Sequence, residues 1–382
     1  MDAVPRRSPD VYLFAATVAL IGIGIVMIYS ASAIVALDWF GDSAFFLKRQ
    51  LLWSVLGLGV MSVSLTIHYQ RLRRITPALL LLVAVALVAV LIPGIGRLVG
   101  GARRWLVLGP ASFQPAEAAK LFLVLYLANY LTNRGAAVRQ FRTLRPPLLV
   151  TAALFLLVVV QPDMGSAFLL VGITGMMLFL GGAGIWHLAG VMLAGIPALA
   201  AVTILEPYRV RRLMAFLDPW RDPQGSGFHI IQSLLALGSG GLLGVGLGAS
   251  RQKFFYLPER HTDFIFAILG EELGLVGAAL VIALLAFVAY RGFRIARSAP
   301  DRYGALLAAG ITSSIVGQAM LNIGVTAGIL PITGVPLPFV SFGGSSLLMT
   351  CLGVGILLNI SQYSVRRAPA EVPLWQPARE ME

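Results

Sequence analysis

Charge is what this sequence has least of. Asp, Glu, Lys and Arg make up 12% of its 382 residues, about half the roughly 25% usual in soluble domains. Residues 11–37, 164–205 and 303–365 contain none at all. That scarcity excludes a soluble globular enzyme, a disordered chain and a collagen-like fibre. Cysteine is limited to Cys351, which excludes a disulfide framework and a cysteine-based metal site. Four histidines, His68, His187, His229 and His261, fall in separate segments without zinc-ligand spacing. No G-x-x-x-x-G-K-[ST] stretch is present, which disfavours an ATP-driven pump. The run Gly-Val-Gly-Leu-Gly-Ala at 244–249 follows no strand pattern and is no dinucleotide site. Nothing points to nucleic acid.

What is present is apolar: 58% of residues are hydrophobic, with 41 glycines besides. About 20 apolar residues cross a bilayer as a helix, and only fully paired backbones can do so. The fold class is therefore an all-α polytopic membrane protein with about ten transmembrane helices. The spans read as 11–35, 51–67, 75–93, 116–131, 148–160, 166–180, 188–205, 264–290, 304–327 and 345–362. An even number puts both termini on one side. That side, termini and short loops together, holds 16 of the 29 lysines and arginines, among them Arg71, Arg73, Arg74, Arg139, Arg142, Arg145, Arg294 and Arg297. Positive charge marks the inside, so the termini are cytoplasmic. The first span is too long for a cleaved signal's apolar core and is read as retained.

The chain reads as one membrane domain, 1–382, with a large extracytoplasmic loop, 206–263, between the seventh and eighth spans. Within it, 228–237 is expected to form a short amphipathic or re-entrant helix, and the glycine-rich 238–248 to line a cavity. The tail 366–382, with Pro369, Pro373 and Pro377, is expected to be a loose cytoplasmic end.

The strongest local signal is Leu-Pro-Glu-Arg-His-Thr-Asp at 257–263. Asp263 stands where loop meets apolar span, beside cations. It can serve as a general base on a sugar hydroxyl or, more plainly, as a helix cap. Glu117 and Lys120, at i and i+3, can pair within a span, either to fix packing or as part of a site. Glu271 and Glu272 point to hydrogen bonding with neighbouring backbone or to a proton relay. Outward cations, Arg103 with Arg104, then Arg209, Arg211, Arg212, Arg251 and Lys253, suit a pyrophosphate or anionic headgroups. The Pro/Gly-rich 336–346 segment offers Ser341 and Ser345 to a substrate, or simply caps the next helix. Asp163, at a turn, reads as a cap.

These residues resemble the SEDS membrane proteins (shape, elongation, division and sporulation). The resemblance rests on 217–227 (LDPWRDPQGSG), 232–241 (QSLLALGSGG), 257–273, Gly101-Ala-Arg-Arg-Trp105, Phe113-Gln-Pro115, 161–165 and 338–346. Ser-Arg-Gln-Lys-Phe-Phe-Tyr at 250–256 is more similar to the division branch, FtsW-like with its sporulation relative, than to the RodA-like elongation branch. Arg260 stands where a smaller residue is common, and Phe342 where Tyr is common.

The resemblance implies a ten-span peptidoglycan glycosyltransferase that polymerises lipid II on the outer face of the cytoplasmic membrane. It also implies a class B penicillin-binding transpeptidase and other division proteins as partners, at the division septum. The family's key acidic residue falls on Asp263, and its membrane Glu and Lys on Glu117 and Lys120. Arg103, Arg211, Arg212, Lys253, His261, Ser341 and Ser345 are the candidates for substrate and pyrophosphate, and a divalent cation (magnesium or manganese) is the one cofactor left open. Arg260 beside Asp263 would lower that carboxyl's pKa. The rivals are a lipid II flippase using Glu117, Lys120 and Glu271, and a scaffold that only recruits the transpeptidase.

Overall fold

The computed structural model describes residues 7–99, 101–109, 111–204, 206–253 and 261–364. The readings made for 366–382, for 254–260 and for the arginine at position 260 lie outside the described residues. Among the described residues, twelve α-helices account for most of the chain: α1 (Val11–Phe40), α2 (Phe45–Thr66), α3 (Leu72–Leu91), α4 (Pro115–Arg134), α5 (Phe141–Val160), α6 (Met164–Leu180), α7 (Ile185–Ile204), α8 (Pro207–Leu217), α9 (Phe228–Ser239), α10 (Ile265–Ser298), α11 (Arg302–Thr326) and α12 (Gly344–Ser361). Each span read from the sequence falls on one of these helices. Six helical stretches among the described residues are long and apolar enough to cross a membrane: Val11–Phe40, Tyr69–Leu91, Phe141–Val160, Ile265–Ser298, Arg302–Thr326 and Gly344–Ser361. The chain is a multi-pass membrane protein.

Burial sorts the helices into layers. In α12, 78% of the most apolar window is buried inside the protein, and in α11 61%, against 22% for the stretch containing α3. Thus α11 and α12 form the centre and α3 faces outward. The α2–α12 contact is close because Gly355 has no side chain: a Cβ there would lie 1.8 Å from Ser64 Oγ and 2.5 Å from the Met61 carbonyl. Without a hydrophobic drive between helices in lipid, such small-residue contacts supply the packing.

Buried polar groups fasten the end of the bundle where α1 begins. Asp10 caps α1 through the Leu13 N–H at 3.0 Å and accepts from Arg291 Nε at 2.9 Å. The Asp10 N–H donates to Ser361 Oγ at 3.0 Å, so one residue joins the start of α1 to Arg291 of α10 through its carboxylate and to the end of α12 through its backbone. Asn359 of α12 accepts from the Tyr69 N–H at 2.9 Å and donates to the Leu65 carbonyl at 2.7 Å. Asp301 caps α11 and also accepts from the Tyr69 hydroxyl and Gln70 Nε2.

At the other end the fold departs from the all-helical expectation. Between α3 and α4 lies an antiparallel sheet, β1 (Gly96–Val99), β2 (Ala102–Leu108) and β3 (Ala111–Phe113), in the order β1-β2-β3. The connection is short and must pair its own backbone next to the bilayer. Gly101, at φ 78°, turns β1 into β2, a left-handed conformation that glycine adopts without penalty. The expected loop 206–263 is also more ordered than read. It holds α9 close to the expected 228–237, but it opens with the helix α8 where the sequence implies loop. Asp222 ties a turn there, accepting from the Ser226 N–H and hydroxyl. Those bonds, the backbone one first, hold its carboxyl below the ordinary carboxylate range.

The eighth expected span, α10, is broken. Gly274 has φ 65° and ψ −165°, which interrupts the helix nine residues in. The glycine-rich strap after α9 fills the break. Val245 and Gly246 N–H groups donate to the Glu271 and Glu272 carbonyls, both at 3.0 Å. Leu275 and Val276 N–H groups donate to the Gly241 and Leu242 carbonyls at 2.9 and 3.1 Å. Irregular backbone at membrane depth survives only when protein pairs it in this way. A Cβ on Gly274 would stand 2.3 Å from Gly244 N. Gly274→Ala is therefore expected to cost roughly 2–4 kcal/mol, read as a lower thermal unfolding midpoint in detergent. Gly22→Ala, where a Cβ meets nothing within 4 Å, is the control and should leave the midpoint unchanged or slightly higher.

Candidate active site

Asp263 is the second residue before α10, half-buried. The N-cap position of α10 belongs to Phe264 rather than to Thr262 or Asp263. The segment carrying Asp263 is gripped through three successive carbonyls. That of His261 accepts from the Phe342 N–H at 2.9 Å. Thr262's accepts from Ser341 Oγ at 2.6 Å, and Asp263's from Asn322 Nδ2 at 2.7 Å. The carboxylate itself lies against Gly334, where a Cβ would be 3.4 Å from Oδ2. His261 packs its ring on Phe46, 4.6 Å between centroids, and near Phe342 at 5.8 Å.

The gripping segment, 332–343, is itself held. Ser341 Oγ accepts from the Leu337 N–H at 2.8 Å. Phe339 is buried at φ 67°, a strained conformation for a bulky residue that persists only where the surroundings enforce it. Its carbonyl would be 2.6 Å from a Cβ on Gly24 of α1, so α1 backs the loop directly. Ser341 and Ser345 thus have structural partners: Ser345 Oγ accepts from the Gln114 N–H at 3.0 Å, joining the start of α4 to α12.

Behind this loop sits the expected ion pair. Lys120 Nζ is 2.8 Å from Glu117 Oε1, with both side chains 4% exposed. Lys120 also donates to Gln318 Oε1, and Gln318 Nε2 donates to the Pro336 carbonyl at 3.0 Å and to Ser346 Oγ at 3.1 Å. A cavity of about 30 Å³ adjoins the pair, lined in part by Glu117, Lys120, Ser314, Gln318 and Thr350. It has room for about one water.

The outward cations divide. Arg212 Nη1 donates to the Ile332 carbonyl at 3.2 Å, which brings α8 to the segment that flanks Asp263. Arg211 is exposed, and Arg103 is half-buried on β2. Arg104 is spent on the Gln161 and Pro162 carbonyls. Lys253 departs from expectation. It is 4% exposed and pairs with Glu272 at 3.2 Å, so its charge is engaged inside the protein instead of facing a phosphate. Glu272 also accepts from Ser30 Oγ, and Glu271 from Ser250 Oγ and the Arg251 N–H. Both acids therefore anchor the strap to α10 and α1 by hydrogen bonds. Asp163 caps α6 through the Ser166 N–H at 3.1 Å and also takes Gln114 Nε2 at 3.0 Å.

Asn322, Gln318 and Gln114 were not singled out from the sequence. The available signal was two neutral amides, Gln318 and Asn322, spaced i, i+4 in an uncharged span, the pattern of polar contacts between membrane helices. Among the described residues, no group of three or more histidine, cysteine or acidic side chains could hold a metal ion. The divalent cation left open by the sequence has no site built from those side chains, and no step is assigned to it.

Removing one partner of a buried pair strands a charge, a loss of roughly 3–5 kcal/mol. Lys120→Met should therefore lower the unfolding midpoint sharply. Lys120→Met with Glu117→Gln should recover most of it, and equal stability of the single variant and the wild type would show that the pair is not structural.

Comparison with known proteins places this architecture. Residues 11–366 match the family model described as cell cycle protein, covering FtsW, RodA and SpoVE. Stage V sporulation protein E of Bacillus subtilis is 46% identical over 360 residues, 94% of this chain and 98% of that protein. The probable peptidoglycan glycosyltransferase FtsW of Thioalkalivibrio sulfidiphilus is 46% identical over 367 residues, covering 95% and 92%. A solved chain from work on structural coordination of polymerization and crosslinking by a peptidoglycan synthase complex superposes with TM-score 0.76 at 32% identity, covering 92% of this chain and 97% of that one. The crystal structure of Thermus thermophilus rod shape determining protein RodA gives 0.70 at 30% identity, covering 94% and 98%. The chain belongs to the FtsW/RodA/SpoVE family of cell cycle proteins.

Proposed function

We propose that this chain is a peptidoglycan glycosyltransferase that polymerises lipid II at the outer face of the cytoplasmic membrane, with Asp263 as its general base. The observation that carries the reading is the grip on residues 261–263, which fixes three carbonyls in a row and stations a half-buried carboxylate at the mouth of the helix bundle. The names of its relatives support the reaction class.

Asp263 accepts the proton of the acceptor's sugar 4-hydroxyl. The freed oxygen attacks the anomeric carbon of the growing strand's lipid-linked end, and undecaprenyl pyrophosphate departs. An α-linked donor yielding a β-1,4 bond requires inversion, so a single displacement with one base suffices. The pyrophosphate leaves already charged and needs cations rather than a general acid, unlike the poor leaving groups of inverting glycosidases. Arg212 is the best placed of the outward cations, with Arg211 and Arg103 beside it as candidates; His261 acts as an aromatic wall. The transporter reading is weaker because Glu117, Lys120 and Glu271 are each held by a partner.

The same reading takes the ten expected spans as crossing the membrane, with both termini cytoplasmic and 206–263 outside as part of a single domain. A class B penicillin-binding transpeptidase is the proposed partner and the division septum the proposed place of action. The resemblance of 250–256 to the division branch, and relatives named FtsW and stage V sporulation protein E, favour division-type over RodA-like duty.

Purified with its transpeptidase partner, the wild type should build glycan strands from lipid II. Asp263→Asn should lower the rate by about 10²–10⁴-fold while leaving the unfolding midpoint in place. Undiminished polymerisation by the Asn variant would remove Asp263 from the mechanism, and lipid movement without strands would favour the transporter.

A further inference from the structure

We propose that Asn322 is the positioning residue for Asp263, and that Gln318, one turn earlier on α11, carries the support of the Glu117–Lys120 pair to the same place. This rests on the reading of Asp263 as the base.

Asn322 is 1% exposed. Both hydrogens of its amide are committed: one goes to the Asp263 carbonyl and the other to the Val335 carbonyl, each at 2.7 Å. Val335 follows Gly334, the residue against which the Asp263 carboxylate lies. A single side chain therefore sets the backbone that carries the base and the backbone that walls it. The other end of the amide, Oδ1, is buried without a hydrogen-bond partner among the described residues. Buried polar atoms are rarely left so, and the exceptions gather at functional sites.

Gln318 repeats the arrangement on the far side of the loop. Its Nε2 holds the Pro336 carbonyl and Ser346 Oγ, and its Oε1 takes Lys120. The loop residues 335 and 336 are thus pinned from one face of α11 by two amides spaced i, i+4. The buried ion pair reaches the site through Gln318. Lys120 then acts by orienting an amide, without touching substrate. A base must come within hydrogen-bond reach of the proton it takes, and a displacement of about 1 Å can lower a rate about 10²-fold.

The test uses the full-length protein with its transpeptidase partner, lipid II as substrate, and kcat and KM as the readouts. Asn322→Ala should lower kcat by about 30–100-fold with KM within about threefold, among molecules that fold and bind the partner. Asn322→Gln, which keeps the amide but displaces it by one methylene, should also lower kcat with KM held. Gln318→Ala should change kcat in the same sense as Asn322→Ala, by less. A purely structural amide would lower yield while leaving kcat per folded molecule untouched, and that result overturns the proposal. If the alanine variant does not accumulate, Asn322→Gln decides alone, an unchanged kcat per folded molecule overturning it. Wild-type strand synthesis that survives Asp263→Asn would instead locate the failure in the base assignment.

Discussion

A backbone carbonyl or N–H inside a bilayer-embedded protein must find a protein partner, since lipid offers none. The structure answers that demand twice, and the geometry of the candidate site follows from the answers. The first is at Gly274, where α10 breaks and the strap at 241–246 supplies the missing bonds on both sides of the gap. The second is at 261–263, where the chain enters α10 and each carbonyl is met by a donor from another segment. The stretch of α10 before the break, 265–273, is thus held at both ends, and Asp263 lies just ahead of its first residue. An unbroken α10 would need no strap, and the anchors between Glu271, Glu272 and residues 248–253 would have no purpose.

Buried charge obeys the same logic. Glu117 meets Lys120 and Glu272 meets Lys253, while Glu271 takes hydrogen bonds from Ser250 and Arg251. Each such group would be costly if left alone, and each is used to tie elements together. Asp263 differs in being half-exposed, with Arg212 brought toward the loop beside it. A partly exposed residue can meet a substrate hydroxyl, which a fully buried one cannot.

Much of this was legible in the sequence. Every apolar stretch read from the sequence falls on a helix, six of them on helical stretches long and apolar enough to cross a membrane, and α9 emerged near its expected place. The i, i+3 spacing of Glu117 and Lys120 foretold their contact, and Asp163 caps α6 as its turn setting indicated. The misses share a physical origin in tertiary contacts. The strands at 96–113 are short, and the single glycine that turns β1 into β2, Gly101, leaves no periodic signal. The break at Gly274 is invisible to a hydropathy window, because one glycine hardly alters it. Lys253 has the look of an outward cation, since nothing local reveals that Glu272 faces it from nineteen residues away. Asn322 carries no charge, and its meaning lies in two carbonyls from segments distant in sequence.

The central claim is that Asp263 takes the proton from the acceptor sugar. It is tested most directly by an experimental structure of the Asp263→Asn variant, with its transpeptidase partner and bound lipid II. The residue-263 side chain should lie about 2.6–3.2 Å from the acceptor's 4-hydroxyl, with the pyrophosphate of the donor toward Arg212. A 4-hydroxyl out of reach of residue 263, with another carboxylate or histidine at hydrogen-bond distance in its place, would contradict it.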